Sequence, residues 1–600
     1  VTTHAARHIY AFDLEPEVLW RAVSDSDAFD RDAGLPSVRY RYEPRESGPP
    51  AAVAQARLGP LAFDWDEPPA NWETPLRLAV ERRFRRGPVA RFAGEIRLFP
   101  DGAGARIEHS VELDVRGAIG SLLAGPLLAY VRAGAERAYR RAERRARSLT
   151  PERARGWVPE VPPGSIAGTA RFVDALEALR THTEDEPAIA ARLAALVEHA
   201  PAASLARMRP YELADAWHLP RERVVAAMLA AARAGLLESS WTIVCPRCRT
   251  PRGAVRTLAA LEPAVACEVC GITFAGDFDR NVELTFEVPR SGHAEPAGGP
   301  PPLRPQAARQ IVAQRTIAAG SVAAFDVVLR SGPYVVQVLP DRAARFTVEE
   351  DAGAAALDAR IEPTRVSSST SAVRAGTVRL RVANPSRQDA VARVVEAELS
   401  RGMATAAGVT ALQAFRDLFP DDVLGDGVQA AIRSLTVVCC DVVGLERIAV
   451  ESGDAYAAQL VRTAVDALRE PVELARGAIV KTGGDGLMAV FTDPRDAVEV
   501  ALRFGEAVAP LELRSAVHRG PCVAVSTNGR LDYFGATVSL AARLARTARP
   551  GELLLTDVLT EDQRVAEVLP PADRGIVTLR GIPEPVDVLR VRTPVAGSAR

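Results

Sequence analysis

Two aspartates and four cysteines stand in this chain at spacings that suit metal chemistry. Asp441 closes an apolar run, 435–440, and Asp485 lies in a Gly-Gly-Asp-Gly turn between the apolar runs 478–482 and 487–491. Two carboxylates at one sheet end suit Mg2+ or Mn2+, hard cations that take oxygen ligands and keep part of their water. Alone, Asp485 is also ordinary hairpin chemistry, because Asp-Gly fits a tight turn. Cys245 and Cys248 form one C-x2-C pair, and Cys267 and Cys270 form a second pair eighteen residues on. Two such knuckles place four soft thiolates tetrahedrally around Zn2+ and leave no open position for a substrate, so one structural zinc is expected.

The elements around the aspartates read as β-α-β-β-α-β. Strand 435–440 is followed by helix 454–476, with Leu460, Ala464 and Leu468 on one face. Then come strand 478–482, the turn, strand 487–491, helix 494–508 and strand 511–517. This is the order of a ferredoxin-like sheet with its helices on one side. In that topology the end of the first strand lies beside the turn of the central hairpin, so Asp441 and Asp485 are expected to converge.

The motifs CCDVVGL, VKTGGDGLMAVF, RLDYFGATVSLAARL and LRGIPEPVDVLRV occur in that order, and the stretch 434–594 that carries them resembles the class III nucleotidyl cyclases. The resemblance implies a head-to-tail homodimer in which each of two sites takes metal ligands from one chain and base-reading residues from the other. It implies two Mg2+ or Mn2+ ions per site on Asp441 and Asp485, and Lys481 and Asp532 as the purine-selecting pair. A lysine donates to the adenine ring nitrogen and an aspartate accepts from its exocyclic amine, so ATP is the expected substrate. Arg543 takes the place of the transition-state arginine, and Arg580 stands where the family usually has a lysine. Ser539 replaces the usual ribose-orienting asparagine, while Cys439 and Leu445 replace two phenylalanines. The expected activity is an adenylyl cyclase that forms 3',5'-cyclic AMP and pyrophosphate. The competing activity is a catalytically weak cyclase-fold regulator that binds nucleotide.

The rest of the chain reads as a multidomain α+β protein. Residues 1–149, with WRAVSDSDAFDRDAGLP and WDEPPANWE, resemble the START/polyketide-cyclase-like helix-grip superfamily. That resemblance implies a curved sheet gripping a long helix, with an apolar small ligand between them. Residues 170–288 read as a winged-helix-like helical module joined to the zinc ribbon, and 193–288 resemble a module of unassigned function found ahead of bacterial cyclase domains. Its second helix is mostly Ala, Val, Leu and Met, a composition for packing rather than for base edges, so nucleic acid is not an expected partner. Residues 289–308 read as a Gly/Pro-rich linker, 309–400 as a small β-sandwich and 401–433 as a helical transducer. The sandwich reading rests on the alternation of Phe325, Val327 and Leu329, of Tyr334, Val336 and Val338, and of Val378, Leu380 and Val382, which is that of short antiparallel strands.

Composition narrows the class further. With 74 Lys+Arg against 76 Asp+Glu there is no global field to recruit nucleic acid or an anionic membrane. Seven cysteines, four of them in knuckles, suit a reducing compartment, and a cytoplasmic protein is expected. The longest apolar stretch, 121–131, is shorter than a bilayer span, and none is expected.

Overall fold

A computed structural model describes residues 1–593 apart from 37, 44–49, 59–60, 149–173, 176, 178, 180–186, 200–204, 206, 249, 290–304, 306–309, 340–341, 352, 398–401, 426, 484–485 and 510. Nearly all of the 289–308 linker and part of the helical reading at 170–198 lie outside the described residues.

The first unit is a curved antiparallel sheet gripping one long helix. Strand Thr2–Phe12 pairs with Gly104–Val115, which pairs with Val89–Asp101, which pairs with Arg77–Phe84. Helix Gly117–Ser148 follows and runs through Pro126 without ending. Ala135, Ala138, Tyr139, Ala142 and Ala146 recur at helical spacing and are all buried. Tyr139 meets Tyr10, Phe12, Phe29 and His109, with ring centroids 4.7 to 6.1 Å away. The helix continues past Pro126, so it is longer than the apolar stretch 121–131. Its segment Gly117–Arg147 contains an 18-residue window of mean hydropathy 1.3, long and apolar enough to cross a bilayer by length and composition alone.

The sandwich packs two sheets face to face. Ile311–Ile317, Ala390–Glu396, Gly332–Val338 and Arg342–Glu349 belong to one, and Ser321–Leu329, Gly376–Asn384 and Ala356–Ile361 to the other. All nine alternating residues are buried. Two regions read as independent domains are nevertheless continuous. Strand Asn71–Glu73 of the first unit pairs with Ile311–Ile317 of the sandwich, which merges them into one 13-stranded sheet. The junction is buttressed by Trp72 Nε1 donating to the Ile311 carbonyl at 3.0 Å and Gln314 Nε2 donating to the Ala70 carbonyl at 2.7 Å.

In the middle module, helices Pro210–Trp217 and Arg221–Arg233 are joined through His218, a left-handed residue at φ 55°. The second helix buries Val224, Val225, Ala227, Met228, Leu229, Ala230 and Ala231, so its surface is spent on packing. Strand Glu238–Val244 then lies between Pro251–Val255 and Val282–Glu287, and the hairpin Val265–Cys267/Ile272–Phe274 carries the second knuckle.

The transducer is helical only in part. Ala406–Thr410 and Gln413–Leu418 are short helices, and the chain leaves helical geometry at Phe419, before Pro420. Beyond it, the Asp422 carboxylate accepts from Trp241 Nε1 at 2.9 Å and from the Leu258 amide at 2.6 Å, tying this segment to the ribbon module. Residues 430–433, expected to be helical, open a strand.

That strand, Ala430–Val442, is central to an eight-stranded C-terminal sheet ordered Ala478–Gly483, Gly486–Phe491, Ala430–Val442, Leu513–Thr527, Glu552–Thr556, Val586–Arg592, Asp573–Val577, with Arg530–Phe534 beside Leu513–Thr527. Helices Asp454–Leu474 and Pro494–Ala507 cover one face over Val438, Cys440 and Phe491, as the β-α-β-β-α-β reading expects. A third helix, Ala536–Thr547, packs on the opposite face with Val437, Cys439 and Met488, so the complete sheet is covered on both sides.

Candidate active site

Asp441 stands at the end of the central strand, where the sheet pairs it with Gly486 of the neighbouring hairpin and with Arg514 on the other side. The hairpin turn therefore lies beside Asp441, as expected. Asp485 itself falls outside the described residues. A Cβ on Gly486 would sit 2.3 Å from Asp441 Oδ1, so only glycine lets the turn approach the carboxylate this closely. Arg514 brings a guanidinium nitrogen within 3.3 Å of Asp441 Oδ2.

Asp441 lines a cleft of about 380 Å³ whose wall also holds Lys481, Thr482, Asp532, Phe534, Ser539 and Arg546. Lys481 comes from Ala478–Gly483 and Asp532 from Arg530–Phe534; its Nζ lies 2.9 and 3.1 Å from the two carboxylate oxygens. Asp532 Oδ1 also accepts the Tyr533 amide at 2.7 Å, which orients the carboxylate. The Lys481 side chain is 49% exposed, and so open a pair contributes at most about 1 kcal/mol to stability. It is free to exchange its partner for a ligand. Cys439 forms part of the cleft wall, and burial pushes its thiol up to about 12, so it serves as a small apolar surface.

Helix Ala536–Thr547 carries Ser539 and Arg543 one turn apart. Ser539 faces the cleft. Arg543 does not line it, and its Nη1 donates to the Arg580 carbonyl at 2.6 Å. Arg543 and Arg580 are thereby brought together, with Gly581 at φ 78° turning the loop under the guanidinium. Two residues escaped the sequence reading. Arg514 opens its strand between Leu513 and Ser515, and only the sheet register reveals Asp441 opposite. Arg546 lies seven residues after Ser539, two helical turns along the same face, a spacing that was available in the sequence.

The thiols of Cys245, Cys248, Cys267 and Cys270 lie within 4.8 Å of one another, three of the residues buried. Cys248 and Cys267 are 3.6 Å apart. Ligands about 2.3 Å from a tetrahedral zinc are about 3.8 Å from each other, so the donor set fits that ion.

Residues 428–585 match the adenylate and guanylate cyclase catalytic domain family. The C-terminal domain is a cyclase catalytic domain. Residues 172–300 match a family of unknown function, which takes in the helical module and the ribbon. The chain is 33% identical over 171 residues to a pH-sensitive adenylate cyclase of Mycobacterium tuberculosis, covering 27% of this chain and 41% of that protein. It is 29% identical over 151 residues to an adenylate cyclase of Streptomyces coelicolor, 25% of this chain and 39% of that one. The chain thus spans about two-fifths of the length of these curated relatives. Among solved structures, the adenylyl cyclase CyaB from P. aeruginosa aligns with 28% of this chain and 98% of its own, at 22% identity and a TM-score of 0.25.

Proposed function

We propose that the cyclase domain is an adenylyl cyclase that converts ATP to 3',5'-cyclic AMP and pyrophosphate at the interface of a homodimer. The observation that carries this reading is the Lys481–Asp532 pair on the cleft wall. Adenine presents a ring-nitrogen acceptor and an amine donor, which these two side chains match. Guanine presents the reverse, a carbonyl acceptor and a ring donor.

Asp441 and Asp485 hold two Mg2+ or Mn2+ ions in this reading. Such ions supply charge neutralisation on the triphosphate and a lowered pKa of the ribose 3'-hydroxyl. Arg514 steadies the Asp441 carboxylate and offers a planar fork toward phosphate oxygens. In this reading Arg543 exchanges its hydrogen bond to the Arg580 carbonyl for phosphate oxygens and, with the Arg580 side chain, carries positive charge to the departing pyrophosphate. Ser539 orients the ribose over a shorter reach than asparagine would. The cleft lies open, and Phe534 on its rim is 70% exposed, an apolar surface that a second copy of the chain would cover.

Purified protein incubated with Mn-ATP or Mn-GTP tests the reading: cyclic AMP is the expected product, and cyclic GMP formed at an equal rate would overturn the ATP assignment. Ser539 motivates a second reading, a nucleotide-binding regulator without useful turnover. Nucleotide binding without cyclic AMP from either the wild type or Ser539→Asn would establish it. Upstream, the reading adds a structural zinc on the four cysteines and regulation of the cyclase by the preceding modules, with an apolar ligand in the helix-grip domain. The contact between Trp241 and Asp422 supports mechanical continuity from ribbon to transducer.

A further inference from the structure

Arg393 lies in strand Ala390–Glu396 of the sandwich and is 4% exposed. Its Nε donates to Gln314 Oε1 at 2.7 Å, and its Nη1 donates to the Arg247 carbonyl at 3.3 Å. Arg247 sits inside the first knuckle, between Cys245 and Cys248. Among the described residues, no carboxylate forms an ion pair with Arg393. A guanidinium buried without a countercharge is costly, so this arginine needs negative charge from another source. The carbonyl that it binds stands between Cys245 and Cys248, whose thiols lie within 4.8 Å of those of Cys267 and Cys270. Four thiolates around one dication leave a net charge of about −2, which is the missing countercharge.

The place of this contact in the fold gives it a consequence. Cys245, Cys248 and Cys267 belong to one buried cluster with Trp72 and Ile311. That cluster lies where the first sheet, the sandwich and the ribbon meet. A relay of hydrogen bonds runs from the knuckle carbonyl through Arg393 and Gln314 to the Ala70 carbonyl of the first unit.

We propose that Arg393 is the counter-ion of a zinc tetrathiolate centre, and that the filled centre docks the sandwich and the first sheet onto the ribbon. The proposal rests on the zinc reading given above. Arg393 is a positioning residue here: it touches the knuckle backbone and compensates the charge of the centre without ligating the metal. Metal loading then sets whether the N-terminal units are mechanically joined to the module that contacts the transducer.

The test uses the full chain, with zinc release to a chromogenic chelator and limited proteolysis as readouts. Arg393→Met should release zinc about 10- to 100-fold faster than the wild type, the range for loss of a residue that supports metal ligands. Arg393→Lys, which keeps the charge and loses the planar fork, should fall between them. Chelator-stripped wild type should be cleaved between ribbon and sandwich under conditions that spare the loaded protein. Release from both variants at the wild-type rate overturns the role of Arg393. Should Arg393→Met fail to fold, Arg393→Lys and the stripped wild type decide: wild-type release from the former, or unchanged protease resistance of the latter, overturns the proposal. A purified wild type containing no zinc would instead sink the metal reading beneath it.

Discussion

Gly486 faces Asp441 across the central hairpin so closely that a single added methyl group would lie 2.3 Å from the Asp441 Oδ1 atom. The same methyl group would lie 2.6 Å from the Cys440 carbonyl oxygen, so the backbone at the end of the central strand would have to shift as well. Gly486→Ala should therefore displace the Asp441 carboxylate, the proposed metal ligand, together with the end of the central strand. Misplacing a reacting group by about 1 Å costs on the order of a hundredfold in rate, and a loss of that size in cyclic AMP formation is expected. Activity near the wild-type value, with the circular dichroism spectrum unchanged, would show that Asp441 is not a metal ligand.

Ser539 tests alignment apart from charge. Ser539→Asn should raise turnover, because the longer side chain reaches a ribose that serine meets only through water or a shifted sugar. On the proposed reading Asp485→Ala should abolish turnover, since it removes one of the two carboxylates assigned to metal. A rate for Ser539→Asn below that of the wild type would show that this cleft is built around serine.

Composite sites predict complementation. Asp441→Ala and Arg543→Ala chains, each inactive alone, should recover activity when mixed, because one of the two sites in a mixed dimer has its full set of residues. Expected recovery is up to about half of the wild-type rate per mixed dimer, one competent site out of two. Mixed dimers demonstrated by differential tagging yet wholly inactive would rule out assembly in trans.

A pH dependence is built into the contact between ribbon module and cyclase domain. The Asp279 carboxylate accepts the Arg433 backbone amide at the edge of the central strand, and burial lifts its pKa from the usual carboxylate range to about 6. Asp277 nearby raises it further, while the Arg433 amide and the Arg433 and Arg280 charges work against that. A folded-state pKa above the unfolded one means that the folded form binds the proton more tightly. The stabilisation is complete below the unfolded value near 3.8 and is lost as pH rises through about 6. Melting temperature should fall between about pH 4 and 6, and Asp279→Asn should flatten that fall. A wild-type melting temperature that climbs through the same window, or an unchanged slope in the variant, would refute the assignment.

Much of the cyclase domain was legible in the sequence because its signals are local. The strands around Asp441 and the central hairpin are short apolar runs bounded by turn residues, and Ala464 and Leu468 occupy the buried face of their helix, as their spacing indicates. The nine sandwich residues alternate at period two and are all inward. The transducer was misread past Leu418 because helical composition continues across Pro420, while the proline and the capture of Asp422 by Trp241 end the helix.

By itself, the sequence determined which residues could ligate a metal, read a purine and fill each core, since those choices depend on residue type, spacing and period. Only the tertiary structure decided which distant strands share an edge. Trp72 meets Ile311 across 239 positions, Arg393 meets Arg247 across 146, and Arg514 faces Asp441 through sheet register. The physical reason is that backbone groups at a strand edge pair with any strand that packing brings alongside, and no local periodicity records which one arrives.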